Sequence, residues 1–116
     1  MAVYVSNIVI EQGCDFAINF ELQDTATNEA KNLVGYGITA QLRKTYSSSS
    51  YVSFASSIAI PSDGVISITL SDTQTSSLKP GRYVYDVLIQ AGGLQSNNDR
   101  VKAVEGMALV RAGVTR

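Results

Sequence analysis

Large apolar side chains recur at every second position through most of this chain, the period of a strand with one dry face and one wet face. In Phe16-Ala-Ile-Asn-Phe-Glu-Leu22 the apolar set alternates with Asn19 and Glu21, and the earlier Ile8 and Ile10 predict a first strand that ends at the Gln12-Gly13 turn. After the polar stretch Gln23 to Asn32, the run Leu33 to Arg43 reads as a strand with Tyr36, Ile38, Ala40 and Leu42 on one side and Thr39, Gln41 and Arg43 on the other. Tyr51 to Ile60 carries Val52, Phe54, Ile58 and Ile60 at compatible spacing, interrupted by small residues that read as a bend or a bulge. Pro61, Asp63 and Gly64 supply a turn, and Ile66, Ile68 and Leu70 alternate with Ser67 and Thr69, which predicts a hairpin with the preceding run.

One helical signal breaks the pattern. In Ser71-Asp-Thr-Gln-Thr-Ser-Ser-Leu78, Ser71 can cap and Gln74 stands at the capping-box position, so one or two turns of helix are expected to carry the chain from one sheet to the other before Pro80 and Gly81 close it. The strand that follows places Tyr83, Tyr85, Val87 and Ile89 on one face and Val84, Asp86 and Leu88 on the other. With both faces partly apolar, it belongs in the middle of a sheet. Arg100 to Arg111 returns as the last long strand, ahead of a flexible Ala-Gly-Val-Thr-Arg end, and Ser47 to Ser50 reads as a mobile loop.

About seven strands with almost no helix predict an all-β, immunoglobulin-like antiparallel β-sandwich with one short helical turn, formed as a single domain over residues 1–116. The expected core groups Phe16, Phe20, Ile38, Leu42, Ile68, Tyr85 and Val87. The stretch Leu78-Lys-Pro-Gly-Arg-Tyr-Val-Tyr85 resembles the corner before the penultimate strand of immunoglobulin-like and fibronectin-like domains. There a tyrosine hydroxyl bonds back to the backbone while its ring stays in the core; the alternative is a pair of half-exposed strand tyrosines with no special bond.

Composition narrows the function. The 116 residues carry a net charge of −1, so no broad positive field draws nucleic acid or anionic lipid. No run approaches the roughly 20 apolar residues of a membrane span, and the start lacks the pattern of a signal peptide. The one cysteine, Cys14, cannot form an internal disulfide and reads as a small half-buried filler. Histidine is absent, which removes the side chain most used for proton transfer near neutral pH and leaves the many Ser and Thr hydroxyls without that base.

The remaining candidates for chemistry are sparse. Asp15, Asp24, Asp63, Asp72 and Asp99 fall in predicted turns and are expected to bond backbone there. Neither Asp24 to Glu29 nor Ser96 to Arg100 has the acidic spacing of a calcium loop, and the glycines of Val34 to Ile38 and Ala91 to Gln95 lack the phosphate-loop lysine. Asp86 and Glu105 interrupt apolar strands expected to be neighbours. Arg82, Arg100 or Lys102 can pair with them, an ion pair across a sheet rather than the carboxylate dyad of a glycosidase. No catalytic, cofactor or metal residues are therefore assigned. Only 16% of residues are charged, against a usual value of about 25%, and such a surface suits contacts in a lattice.

Taken together, Val5 to Asp24, Asn32 to Ser48, Leu70 to Ile89 and Val104 to Arg116 resemble a family of small virion proteins of tailed phages, notably phages of marine cyanobacteria. They are also similar to the immunoglobulin-like N-terminal domain of phage baseplate upper proteins. The resemblance implies a non-enzymatic structural role on the capsid or tail, with other virion proteins as partners, many copies in a symmetric assembly, a place in the virion, and no nucleic acid or membrane ligand. Because the sequence stops after Gly113-Val-Thr-Arg116 without a fibre extension, a head-decoration or tail-associated subunit is favoured over a receptor-binding adaptor. The alternative is a carbohydrate-binding or host-adhesion module, for which Tyr46 and Tyr51 beside the serine run are the candidate rings.

Overall fold

The computed structural model describes residues 4–23, 32–92 and 100–114. Two sheets face each other. The larger contains β1 (Tyr4–Val5), β2 (Ile8–Glu11), β4 (Gly37–Arg43), β5 (Val52–Ser53), β8 (Gly81–Gln90) and β9 (Arg100–Arg111), and the smaller contains β3 (Phe16–Glu21), β6 (Ala55–Ile60) and β7 (Val65–Leu70). The larger sheet runs β1-β9-β8-β4-β5, with β2 also on β9; the smaller runs β3-β7-β6. This is the immunoglobulin arrangement, with β3, β7 and β6 in the places of strands B, E and D and β4, β8 and β9 in those of C, F and G. β8 lies in the middle of its sheet, as its two apolar faces require.

Two features depart from an antiparallel seven-strand reading. β1 and β2 run parallel to β9, pairing Tyr4 with Val104 and Ile8 with Ala108. The Tyr51–Ile60 run divides at Phe54: β5 pairs with β4 in one sheet, β6 with β7 in the other, and buried Phe54, its N–H donating to the Ala40 carbonyl at 3.0 Å, is the crossing point. The bulge lies further on, between Ile58 and Ile60. The β6–β7 hairpin closes through a single 3-10 turn at Pro61–Asp63, where Gly64 takes a left-handed φ of 68° that a side chain would strain.

The core is aliphatic. Ile10, Leu22, Leu33, Leu42, Ile66, Ile68, Val87, Ile89, Val104 and Val110 are fully buried, each worth about 1.5–3 kcal/mol of apolar transfer. Of the expected core, Leu42, Ile68, Tyr85 and Val87 are buried, whereas Phe16, Phe20 and Ile38 pack against it half-buried. Phe54 links Phe16 to Tyr85, with ring centroids 6.2 and 6.1 Å away.

Helix α1 (Asp72–Ser76) crosses between the sheets behind a complete capping box: Ser71 Oγ accepts the Gln74 N–H and Gln74 Oε1 accepts the Ser71 N–H. Asp15 reaches across the fold to accept the Asp72 N–H at 2.8 Å, and Asp72 accepts from Thr73. Asp24 and Asp99 lie outside the described residues. Buried Thr75 ties the helix to the β2–β3 turn, accepting from Gly13 N–H at 3.1 Å and donating to the Cys14 carbonyl at 2.8 Å. Cys14 itself is exposed rather than half-buried, because that turn commits its backbone to Thr75 and to Glu11 and leaves the thiol outside.

Candidate functional surface

The corner ahead of β8 uses both tyrosines. Tyr83 Oη donates to the Lys79 carbonyl at 2.8 Å, the short return bond expected of the corner, and Lys44 Nζ stands 4.7 Å above its ring. Tyr85 supplies the buried ring, and its hydroxyl donates to the Ser6 carbonyl at 2.6 Å, which pins the link between β1 and β2. Burial raises the Tyr85 phenol above its ordinary 10.0. Gly106 lies beneath the same link: a Cβ there would meet Ser6 O at 2.0 Å.

The outer face of the larger sheet carries a charged cluster. Asp86 lies directly opposite Glu105, and of the three cations open to them it is Lys102 that bridges the two, at 3.8 Å to Asp86 and 3.2 Å to Glu105. Lys102 and Glu105 are three apart and would point to opposite faces of a regular strand. A register shift opposite Val87 and Leu88 brings them together, leaving Ala103 and Val104, adjacent in sequence, both buried. The hydrogen bond to Glu105 is the main cause that raises the Lys102 amine above its usual value, with burial opposing it. Arg100 instead donates to Gln90 Oε1 at 3.3 Å, and Arg82 faces Leu109.

Shallow depressions flank this cluster. One of about 210 Å³ is lined by Thr39, Gln41, Asp86, Leu88 and Arg100, and its neighbour of about 230 Å³ by Gln41, Arg43, Tyr46, Val84 and Asp86. Tyr46 is 76% exposed beside them, whereas Tyr51, 53% exposed, holds the Arg43 guanidinium 4.8 Å from its ring centroid. Arg43 also donates to the Ser48 carbonyl, so the serine run is tied back to β4. A third depression, about 240 Å³, is apolar and lies among Val9, Met107 and Leu109.

Chemically this surface can bind but offers little for catalysis. Glycoside cleavage by a carboxylate pair needs one acid held protonated in a dry pocket. Asp86 and Glu105 stand half-exposed on an open face and share one lysine. Among the described residues, no three His, Cys, Asp or Glu side chains are grouped to hold a metal ion, and no helix is long and apolar enough to cross a membrane.

No protein-family model and no curated protein sequence matches the chain. Among solved structures, the N-terminal domain of phage TP901-1 ORF48 superposes with a TM-score of 0.55 at 13% identity, covering 96% of this chain and 99% of that one. A chain from a structure of T cell specificity and activation by the bacterial superantigen toxic shock syndrome toxin-1 superposes with a TM-score of 0.50 at 15% identity, covering 91% and 93%. At these identities the likeness establishes the fold: an all-β sandwich shared with a phage protein domain.

Proposed function

We propose that this chain is a non-enzymatic structural module of a bacteriophage virion, docking by its outer surfaces onto capsid or tail proteins in many symmetric copies, as a head-decoration or tail-associated subunit. The observation that carries the reading is the end-to-end correspondence with a phage N-terminal domain, 96% of one chain on 99% of the other. The lean, mixed charge of the surface and the apolar depression at Val9, Met107 and Leu109 suit contacts of modest strength, and repetition around a symmetric particle multiplies such contacts into firm attachment. Mass spectrometry and density mapping of purified phage particles test it: the chain should copurify in fixed stoichiometry and occupy a repeated position. Particles that contain none of it overturn the reading.

Tyr46 favours a second reading. Its exposed ring stands beside a shallow trough of mixed polarity that includes Gln41 and Asp86, which is how a sandwich face holds a sugar: a stacking ring next to hydrogen-bonding groups. Glycan-array binding that is lost in Tyr46→Ala would establish this role, and a blank array would dismiss it.

A further inference from the structure

The two sheets expose four edges, and three are blunted by recognisable means. β5 is two residues long, β6 is bulged at Ile58/Ile60 and runs into Pro61, and the β1–β2 edge is interrupted between Val5 and Ile8. The fourth edge, β3, has none of these devices. Phe16-Ala-Ile-Asn-Phe-Glu21 is six residues without proline, lysine, arginine or bulge. Among the described residues its outer side is unoccupied, because β1 and β2 pair with β9 instead.

The hydrogen-bond phase of β3 follows from its neighbour. Leu22 N–H donates to Gly64 O at 2.9 Å, one step beyond the Glu21–Val65 pair, so Phe20, Ile18 and Phe16 exchange backbone bonds with β7. The N–H and C=O groups of Ala17, Asn19 and Glu21 consequently point to the open side, where no described residue bonds them. On the inner face Phe16, Ile18 and Phe20 remain half-buried for want of a neighbour on that side.

From this geometry we infer that a second copy of the chain pairs antiparallel along β3, about a two-fold axis at Asn19, joining two three-stranded sheets into one of six. The register follows from charge and face. Pairing about Asn19 sets Ala17 against Glu21 of the other copy and Ile18 against Phe20, keeping every apolar residue on the inner side. Pairing about Ile18 would set Glu21 against Asp15, carboxylate against carboxylate, and is disfavoured. Six residues per edge bury less than a standard interface, so the free dimer is weak and becomes effective where copies are concentrated. This inference goes beyond the virion reading and stands or falls separately from it.

The test uses the full chain with Cys14→Ser. In the paired state the Cα atoms at position 19 lie about 5.5 Å apart, within disulfide range, so Asn19→Cys should form a covalent dimer under mild oxidation. Ser67→Cys, on the same outer face but in the central strand, should stay monomeric. In sedimentation experiments Asn19→Lys, which sets two like charges on the axis, should weaken association about tenfold or more while leaving the thermal midpoint unchanged. Cross-linking at Asn19 no faster than at Ser67, or association unaffected by Asn19→Lys, overturns the proposal.

Discussion

Replacing Gly106 by alanine should uncouple the first strands from the last. The backbone at Gly106 has no left-handed φ, so the requirement for glycine is one of space: the new Cβ would lie 2.0 Å from Ser6 O and 2.7 Å from Ser6 C, both main-chain atoms that no rotamer change can move. Relief requires the β1–β2 link to lift from β9. Lifting breaks the Ser6 N–H bond to Glu105 O (2.9 Å), the Tyr85 hydroxyl bond to Ser6 O (2.6 Å) and the Met107 N–H bond to Asn7 Oδ1 (3.1 Å). At about 1 kcal/mol net for each bond, the loss is about 3 kcal/mol, at the upper end of the range for overpacking. For a chain of this size that corresponds to a fall in Tm of about 12 °C, measured by circular dichroism or urea unfolding. Tyr85→Phe alone should cost about 1 kcal/mol, but almost nothing further in the Gly106→Ala background, because Ser6 has already moved. A Gly106→Ala protein within about 1 kcal/mol of wild type, or strictly additive effects in the double variant, would refute this account.

Other consequences are simpler to state. Thr75→Val, similar in shape, strands the Gly13 N–H and the Cys14 carbonyl and should cost about 2 kcal/mol in urea unfolding; no loss would mean that the helix-to-turn clamp is idle. Tyr83→Phe removes the return bond to Lys79 at a half-buried position and should cost about 1 kcal/mol or less, with the mid-strand Tyr85→Phe at least as costly, a ranking that thermal melts can check. Tyr85 and Lys102 both bind their protons more tightly folded than unfolded, since their pKa values are raised from 10.0 and 10.5. Their stabilising effect is complete below those values and is lost as pH rises through the folded-state values, so melts should hold level toward neutral pH and decline above about 10. Tyr85→Phe should soften that decline, and an alkaline limb identical to wild type would contradict the assignment.

Much of the fold was legible because one face of each long strand is dry: alternation at Phe16–Glu21, Val65–Leu70 and Gly81–Gln90 placed these strands, and Ser71 with Gln74 placed the helix. What escaped depends on partners distant in sequence. The crossing at Phe54 keeps an apolar residue where a continuous strand would also put one, so periodicity does not register the change of sheet. The parallel course of β1 and β2 is set by docking on β9, which strands of two and four residues cannot announce. On the surface, Asp86 and Glu105 were identified as a pair with three possible cations, but choosing Lys102 required the bulge at Ala103, whose only trace is two adjacent apolar residues. Tyr46 and Tyr51 flank the same serine run, and only the fold sets Arg43 against Tyr51.

The parallel seam between β2 and β9 also has a mechanical meaning. β2 follows only the two-residue β1, β9 is the last strand of the described fold, and the two point the same way, so tension that draws the start of β2 and the end of β9 apart pulls along the seam. The hydrogen bonds of that ladder then carry the load together, in shear, rather than opening one after another like a zipper. A subunit strung between two anchors in this way resists stretching at its ends before its core is strained.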